Sequence, residues 1–144
     1  MIYYTDGSTH PTNPGPGGFG VVIVDDYNKI YDTYSKQSEN ITTNNEQEIK
    51  AILFAVCHAI GIKETEITIY SDSAYAINSL SSWKNNWKKN GWLKSDGKVP
   101  ENLDLIKAYD SVEKFVNVKF IKVKAHNGNY YNELADKLAR GEVN

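Results

Sequence analysis

Hydrophobic and polar positions divide the first part of the chain into three extended segments separated by turns. Residues 2–8 are rich in Ile, Tyr and Thr, residues 19–24 are almost continuously apolar, and residues 29–38 are half polar. Such residues favour strands, and the short connections between them predict an antiparallel meander. An N-terminal strand is ordered only when a sheet pairs it, so we place the first strand inside the sheet.

From residue 43 the hydrophobic period changes to that of a helix. Thr43 and Glu46 have the spacing of a capping box, in which each side chain satisfies a backbone N–H group of the other residue. Apolar residues then recur at helical spacing as far as Ile60, and Gly61 stands where a left-handed C′ residue belongs. The pattern therefore predicts a long helix that begins after Thr43 and ends before Gly61.

The remaining pattern alternates between strands and helices, while residues 81–100 fit neither period. It predicts a strand over 65–70, a short helix over 75–80, a helix over 103–115, a strand over 116–123 covered on both faces, and a last helix closed by Arg140 and Gly141. With right-handed crossovers, this order predicts an α/β fold in a single domain spanning residues 1–144. Its five-stranded mixed sheet has the first three strands antiparallel and is flanked by helices.

The composition is that of an ordinary globular protein, since 40% of the residues are hydrophobic and can build a core. No apolar run approaches the ~20 residues that span a bilayer, and the first residues lack the pattern of a secretory signal. A single cysteine, Cys57, excludes a disulfide framework and fits a reducing compartment. We therefore expect a cytoplasmic protein that does not contact membranes.

A net charge of −2 argues against a generally basic nucleic-acid binder, but it hides a local asymmetry. Residues 81–98 hold five lysines and one aspartate, a net charge of +4, which leaves −6 on the rest of the chain. Trp83, Trp87 and Trp92 alternate with these lysines. The segment is a candidate nucleic-acid contact, although Trp83 and Trp87 could simply fasten it to the body of the protein.

Four carboxylates are candidates for a common site. Asp6 and Asp72 end strands that we expect to be parallel neighbours, about 5 Å apart. Glu48 lies in the first turns of the long helix, and Asp136 lies in the last helix. Converging acids repel one another unless a cation neutralises them, and hard oxygen ligands are those that Mg²⁺ and Mn²⁺ prefer.

Each of these acids also has an ordinary structural interpretation. Asp6 precedes a glycine and could belong to a turn, and Glu48 could serve only the dipole of its helix. Asp72 could cap the helix that follows it, and Asp136 could be a solvated helix position. The conjunction of all four favours the metal site.

Six motifs in order resemble those of type 1 ribonuclease H (ribonuclease HI), in the bacterial or phage-like form with a basic protrusion, which here covers residues 81–100. The match runs from Tyr4 to Arg140. The motifs are Thr5-Asp6-Gly7-Ser8, Asn13-Pro14-Gly15-Pro16-Gly17-Gly18, Thr42-Thr43-Asn44-Asn45-x-x-Glu48, Ser71-Asp72-Ser73-x-Tyr75, Val123-Lys124-x-His126-x-Gly128 and Asn132-Glu133-x-x-Asp136-x-Leu138-Ala139.

The resemblance implies a ribonuclease H-like fold and an endonuclease that cuts the RNA strand of RNA–DNA hybrids, leaving 5′-phosphate and 3′-hydroxyl ends. It implies two-metal-ion catalysis with two Mg²⁺ ions, or Mn²⁺, bound by the four acids. Asp6 would bridge both ions, and His126 matches a loop histidine that assists proton transfer or product release. The matching acids are Asp6, Glu48, Asp72 and Asp136.

The resemblance also implies contacts with the substrate, an RNA–DNA hybrid bound by a monomer. Asn13, Asn44 and Asn45 match positions that line the minor groove, where the 2′-hydroxyl distinguishes RNA from DNA. Thr43 matches a contact to a DNA phosphate, although it is also the predicted N-cap. The basic protrusion would grip the DNA strand through Trp83, Lys84, Lys88, Lys89 and Trp92.

Two alternatives remain open. The chain could be another nuclease of the same fold, such as a reverse-transcriptase ribonuclease H module or a Holliday-junction resolvase. It could instead be a non-catalytic module that binds RNA–DNA hybrids, but acids without a metal would only weaken binding to phosphates.

Overall fold

A five-stranded sheet forms the centre of the computed structural model, which describes residues 1–124 and 129–142. The strand order is β3-β2-β1-β4-β5. Its strands are β1 (Ile2–Thr9), β2 (Gly17–Val24), β3 (Ile30–Gln37), β4 (Glu66–Ser71) and β5 (Asn117–Lys122).

The central strand is β1, which pairs antiparallel with β2 and parallel with β4. β3 pairs antiparallel with β2, and β5 pairs parallel with β4. The predicted mixed sheet, with three antiparallel strands first, is therefore confirmed.

Helices cover both faces of the sheet. They are α1 (Asn44–Gly61), α2 (Ala74–Asn78), α3 (Lys84–Lys89), α4 (Leu103–Val112) and α5 (Tyr130–Ala139), with a π-helical turn at Ser79–Trp83 and a 3₁₀ turn at Glu113–Phe115. α1 and α4 contribute to the larger core on one face, and α5 packs on the other face over β1 and β2. Within the described ranges, no helix is both long and apolar enough to cross a bilayer.

Two glycines let helix backbones approach the central strands closely. A β-carbon at Gly7 in β1 would overlap the carbonyl carbon of Gln47 in α1, and one at Gly20 in β2 would overlap the carbonyl oxygen of Ala135 in α5. Gly20 is also the cross-strand partner of Asp6. Because both approaches occur beside Asp6, the side chains of α1 and α5 are brought to the same part of the sheet.

The start of α1 is confirmed, but its capping differs in one detail from the prediction. The Thr43 hydroxyl accepts a hydrogen bond from the backbone N–H of Glu46 at 3.1 Å. The Glu46 carboxylate accepts instead from the hydroxyl of Thr42. The Glu46 carboxylate therefore binds the side chain of Thr42 and not the backbone N–H of Thr43, as a capping box would require.

The end of α1 also differs from the prediction. Gly61 is the last helical residue, and the left-handed residue is Lys63, with φ of 63°. The backbone N–H of Glu64 then donates to the carbonyl of Ala59 at 2.9 Å, and its carboxylate binds the amino group of Met1 at 2.6 Å. Because these contacts fix the turn, the reversal falls at Lys63 and the expectation for Gly61 is wrong.

Two further expectations are corrected. β5 lies at the edge of the sheet, and the side chains of Val118, Phe120 and Ile121 are only partly buried, so it is not covered on both faces. The first half of residues 81–100 is helical, because α2, the π-helical turn and α3 follow one another directly. The helical period was hidden because a charged residue, Lys84, occupies a buried position four residues after Leu80.

Candidate active site

Asp6 and Asp72 lie at equivalent points just beyond the last paired residues of two parallel strands, although β1 itself continues to Thr9. Tyr4 in β1 is paired with Tyr70 in β4, and each acid follows two residues later. Asp6 is 7% exposed, and its Oδ1 accepts the backbone N–H of Gly7 at 3.0 Å. The helix after Asp72 is capped by Ser73, whose hydroxyl accepts from the N–H of Ala76. Asp72 is therefore not the cap of this helix.

Glu48 reaches the same edge from the second turn of α1. Its side chain is 5% exposed, and its Oε1 accepts the backbone N–H of Gly7 at 2.6 Å. The hydroxyl of Ser71, the last residue of β4, donates to Oε2 at 3.4 Å. The close approach at Gly7 thus allows β1 itself to orient the carboxylate of α1.

The carboxylates of Asp6, Glu48 and Asp72 each offer an oxygen within 4.8 Å of the others. Burial is the largest cause that raises the pKa of Asp6 far above its ordinary value, and Glu48, Asp72 and Asp136 raise it further. Burial also raises the pKa of Glu48, to about 7, against the opposing effect of a hydrogen bond with Asp6. When no cation is bound, the Asp6–Glu48 pair therefore tends to retain a proton.

Asp136 faces the same cavity from α5. This cavity has a volume of about 350 Å³, and all four predicted acids line it. Oδ2 of Asp136 lies 3.1 Å from the guanidinium of Arg140, one turn later, which also pairs with Glu142 at 3.2 Å. Among the residues described, Asp136 does not belong to the group of oxygens within 4.8 Å of one another.

The donor set fits a hard divalent cation. Three carboxylate oxygens converge, two of the acids are buried, and their crowding is relieved only by protonation or by a positive charge. Mg²⁺ and Mn²⁺ prefer such oxygen ligands, whereas a zinc site of the usual kind would contain His or Cys.

The predicted groove residues lie beside the acids. Asn44 and Asn45 line the acidic cavity. The side-chain oxygen of Asn44 accepts from the N–H and hydroxyl of Thr9, at 2.7 and 2.9 Å, so its NH₂ group is what remains for a ligand. Asn13 is exposed, and its oxygen accepts the backbone N–H of Asn44 at 3.1 Å. Thr43 uses its hydroxyl oxygen as the N-cap and keeps the hydroxyl proton for another acceptor.

A second cavity, of about 500 Å³, adjoins the acidic cavity through Asn45. Trp83, Trp87 and Tyr75 line it together with Lys94. Trp83 is exposed and contacts the rings of Tyr75 and Trp87 edge-on or tilted. The basic protrusion therefore places an aromatic surface beside the acidic cavity.

Two residues of the basic protrusion are packed against the body of the protein, and for one of them, Lys84, the structure corrects the expectation. Trp92 packs against the core, and the ammonium of Lys107 lies 5.5 Å from the centre of its ring. Lys84 is 1% exposed, and its ammonium lies 2.9 Å from Asp110 and 2.5 Å from Glu113. The Lys84 side chain is therefore held within the protein and is not available to the DNA strand. Trp92 is only partly buried, and its expected contact with the substrate stays a prediction.

Lys88 and Lys89 are both exposed, but only Lys88 has an ion-pair partner among the described residues, Asp110 at 2.9 Å. His126 lies outside the described residues, and its expected role stays a prediction.

Residues that the sequence analysis did not select either line the acidic cavity or hold one of its acids. Asn132 lies one helical turn before Asp136, and Arg140 lies one turn after it. This i, i+4 spacing around a candidate acid was a usable signal. No local pattern marks Ser71, because its role depends on α1 docking against the end of β4.

Comparisons with known proteins agree on one family. The family model described as RNase H matches residues 1–144. The ribonuclease H of Caldanaerobacter subterraneus subsp. tengcongensis is 42% identical over 141 residues, which cover 97% of this chain and 88% of that protein. The ribonuclease H of Acetivibrio thermocellus is 39% identical over 145 residues, covering 97% and 92%.

A solved structure has the same fold. The crystal structure of LC11-RNase H1 in complex with an RNA/DNA hybrid superposes with a TM-score of 0.72 at 24% identity, covering 97% of this chain and 94% of that one. Since the family match spans the whole sequence and both bacterial relatives are well above the level of chance similarity, the chain belongs to the ribonuclease H family.

Proposed function

We propose that this chain is an endonuclease that hydrolyses the RNA strand of RNA–DNA hybrids and leaves 5′-phosphate and 3′-hydroxyl ends. The observation that carries the proposal is the convergence of the Asp6, Glu48 and Asp72 carboxylates within 4.8 Å at the edge of the sheet. Membership of the ribonuclease H family supplies the reaction.

Asp6, Glu48, Asp72 and Asp136 are proposed to hold two Mg²⁺ ions, and Mn²⁺ has the same preference for oxygen ligands. When bound, such ions polarise the scissile phosphate, activate water and stabilise the leaving 3′-oxygen. Asp6 would gain most from a bound cation, because burial and the three other acids all raise its pKa.

Other groups of the chain fix the positions of these acids. The N–H of Gly7 and the hydroxyl of Ser71 hold the two oxygens of Glu48, and the guanidinium of Arg140 holds Asp136. Burial of Asp6 and Glu48 strengthens every charge interaction in the site. His126 is proposed to move a proton or to assist product release.

Substrate choice is proposed to depend on the groups beside the acids. Asn13, Asn44 and Asn45 face the RNA strand, where amide groups can bind 2′-hydroxyls. Thr43 contacts a phosphate of the DNA strand through its hydroxyl proton. Trp83 and Lys89, both exposed on the basic protrusion, contact the DNA strand of a hybrid bound by the monomer.

The test is cleavage of end-labelled RNA–DNA, RNA–RNA and DNA–DNA duplexes with and without Mg²⁺. Only the RNA strand of the hybrid is expected to be cut, and only with the metal. Asp6→Asn is expected to lose cleavage while still binding the hybrid. The matched control is Asp26→Asn, at an exposed acid in the turn between β2 and β3. Turnover by Asp6→Asn, or binding without cleavage by the unchanged protein, would contradict the proposal.

A further inference from the structure

Two adjacent lysines of the basic protrusion differ in how they are held. Lys88 and Lys89 close α3, and both are exposed. The ammonium of Lys88, 56% exposed, lies 2.9 Å from Oδ2 of Asp110 in α4. Within residues 1–124 and 129–142, Lys89 has no ion-pair partner. The two residues carry the same charge and are adjacent in α3, but only Lys88 is directed towards Asp110.

Asp110 is a fixed partner rather than a mobile surface acid. Its side chain is 14% exposed, and its other oxygen, Oδ1, binds the ammonium of Lys84 at 2.9 Å. Lys84 is itself buried and also bound by Glu113 at 2.5 Å. Because Oδ1 is anchored by a buried cation, Asp110 cannot rotate away to release Lys88 without leaving Lys84 partly unpaired.

The charges around this cluster agree with its geometry. Burial alone would raise the pKa of Asp110, but the hydrogen bonds from Lys88 and Lys84 outweigh it and hold the pKa below its ordinary value. Burial likewise opposes the positive charge of Lys84, but Glu113 and Asp110 hold its pKa above the ordinary value. Asp110 and Lys84 are therefore both held in their charged forms, and each lysine of the cluster lies within 3 Å of an acid.

We propose that Asp110 withholds Lys88 from the nucleic-acid backbone, so that Lys89 is the lysine of this pair that contacts phosphate. Asp110 is then a positioning residue that limits how tightly the basic protrusion holds a duplex. The inference rests on the proposed function for the hybrid as substrate, but the asymmetry between Lys88 and Lys89 concerns any phosphate backbone.

The salt dependence of binding distinguishes a lysine that contacts phosphate from one that does not. Each phosphate neutralised by a lysine releases counterions and adds about 0.9 to the slope of log K against log salt concentration. Removing Lys89 should remove one such contact. Removing Lys88 should remove a charge that the protein already neutralises.

Binding is measured by fluorescence anisotropy of an end-labelled hybrid and of the matching DNA duplex, in the Asp6→Asn background with Mg²⁺, over a series of NaCl concentrations. Lys89→Gln is expected to weaken binding several-fold and to reduce the salt slope by about 0.9. Lys88→Gln, the matched control, is expected to change the dissociation constant less than about twofold and to leave the slope unchanged. Neither variant alters a buried residue, so both should fold.

Asp110→Asn is the more discriminating variant, because the proposal predicts that it binds the duplex more tightly. Released from its partner, Lys88 is expected to tighten binding about two- to fivefold, the range that a partly exposed ion pair is worth, and to steepen the slope by about 0.9. Glu113 still pairs with Lys84 in this variant. In the double variant with Lys88→Gln the gain should disappear. A purely structural role for Asp110 would instead weaken binding in both backgrounds.

The inference would be overturned if Lys88→Gln and Lys89→Gln lowered the affinity for the duplex equally. Weaker binding of the duplex by Asp110→Asn would also overturn it. An unchanged protein that binds the hybrid with Mg²⁺ but does not cleave its RNA strand would contradict the proposed function. The comparison of the two lysines on the DNA duplex would still decide the role of Asp110, so the two failures are distinguishable.

Discussion

Among the four acids, Asp6 is the one whose ionisation destabilises the metal-free folded state most. It is nearly buried, and three other acids raise its pKa together with burial itself. An acid whose folded-state pKa is raised binds its proton more tightly when folded, so stability falls as pH rises above the unfolded-state value near 4. Without a cation, the ionised site therefore opposes folding at neutral pH.

Replacing Asp6 with Asn should stabilise the metal-free protein by about 1–3 kcal/mol at pH 7, because it removes a buried charge and keeps an oxygen for the N–H of Gly7. The gain should shrink towards pH 4, where the unfolded chain also becomes protonated. Urea unfolding in EDTA at several pH values measures it. Asp26→Asn, at an exposed acid, should show no such gain, and a destabilised Asp6→Asn would contradict the prediction.

Single residues also show what could be predicted from the sequence and what could not. The helical position of Glu48 is a local feature, and it could be predicted from the sequence. Asp6 was expected to end its strand, but β1 continues to Thr9, and only the pairing with β4 ends before Asp6. Lys84 was assigned to substrate because its lysine-rich neighbourhood resembles a nucleic-acid contact. Its burial depends on Asp110 in α4 and Glu113 in the 3₁₀ turn after α4, both more than twenty residues away in the sequence.

Among the elements, α1 is the one that both supports the core and delivers an acid. Its start was predictable because the cap at Thr43 is a local signal. Its end was not, because the turn at Lys63 depends on contacts of Glu64 with Ala59 and Met1. The edge position of β5 was likewise hidden, since an apolar run does not reveal how many strands will flank it.

The end of α1 predicts two stabilising substitutions. Gly61 is helical and nothing lies within 4 Å of a β-carbon built there, so Gly61→Ala should stabilise by up to about 1 kcal/mol. Lys63 has a positive φ, so Lys63→Gly should gain about 1 kcal/mol by removing its steric cost. Urea unfolding midpoints measure both, and a loss of stability in either variant would show that this turn is different in solution.

The close contact between α1 and β1 predicts that a glycine-to-alanine substitution at Gly7 destabilises the protein, in contrast to Gly61→Ala. A β-carbon at Gly7 would overlap the backbone of Gln47, so Gly7→Ala should destabilise by about 1–3 kcal/mol. It should also displace Glu48 and lower kcat with little change in KM. Gly61→Ala is the matched control with open space around it. Unchanged kcat in Gly7→Ala would mean that the helix can move without disturbing the site.

At the scale of the whole molecule, the candidate site joins β1, β4, α1 and α5, which come from both helical layers and nearly the full length of the chain. The fold as a whole could be predicted, because the hydrophobic periods identify most strands and helices and the turn residues mark where they end. The convergence of the acids could be inferred only through the resemblance and the expected pairing of β1 with β4.

Because all four acids meet only in the folded state, Mg²⁺ should stabilise the protein. Binding to the folded state alone adds about 1.4 kcal/mol for each tenfold excess of Mg²⁺ over its dissociation constant. The melting temperature should therefore rise with Mg²⁺ more than with NaCl of equal ionic strength, and EDTA should reverse the rise. The rise should be much smaller in Asp6→Asn. Equal effects of the two salts would show that no specific cation site forms.

The missing side chains at Gly7 and Gly20 have a consequence for how this family can diverge. Where main chain rests on main chain, the separation of two layers is set by atoms that every amino acid shares. Hydrophobic interiors can then drift in sequence without altering the gap between the reactive groups. Replacing a whole helix with that of a distant family member should therefore preserve activity, provided that glycine is kept at both of these positions.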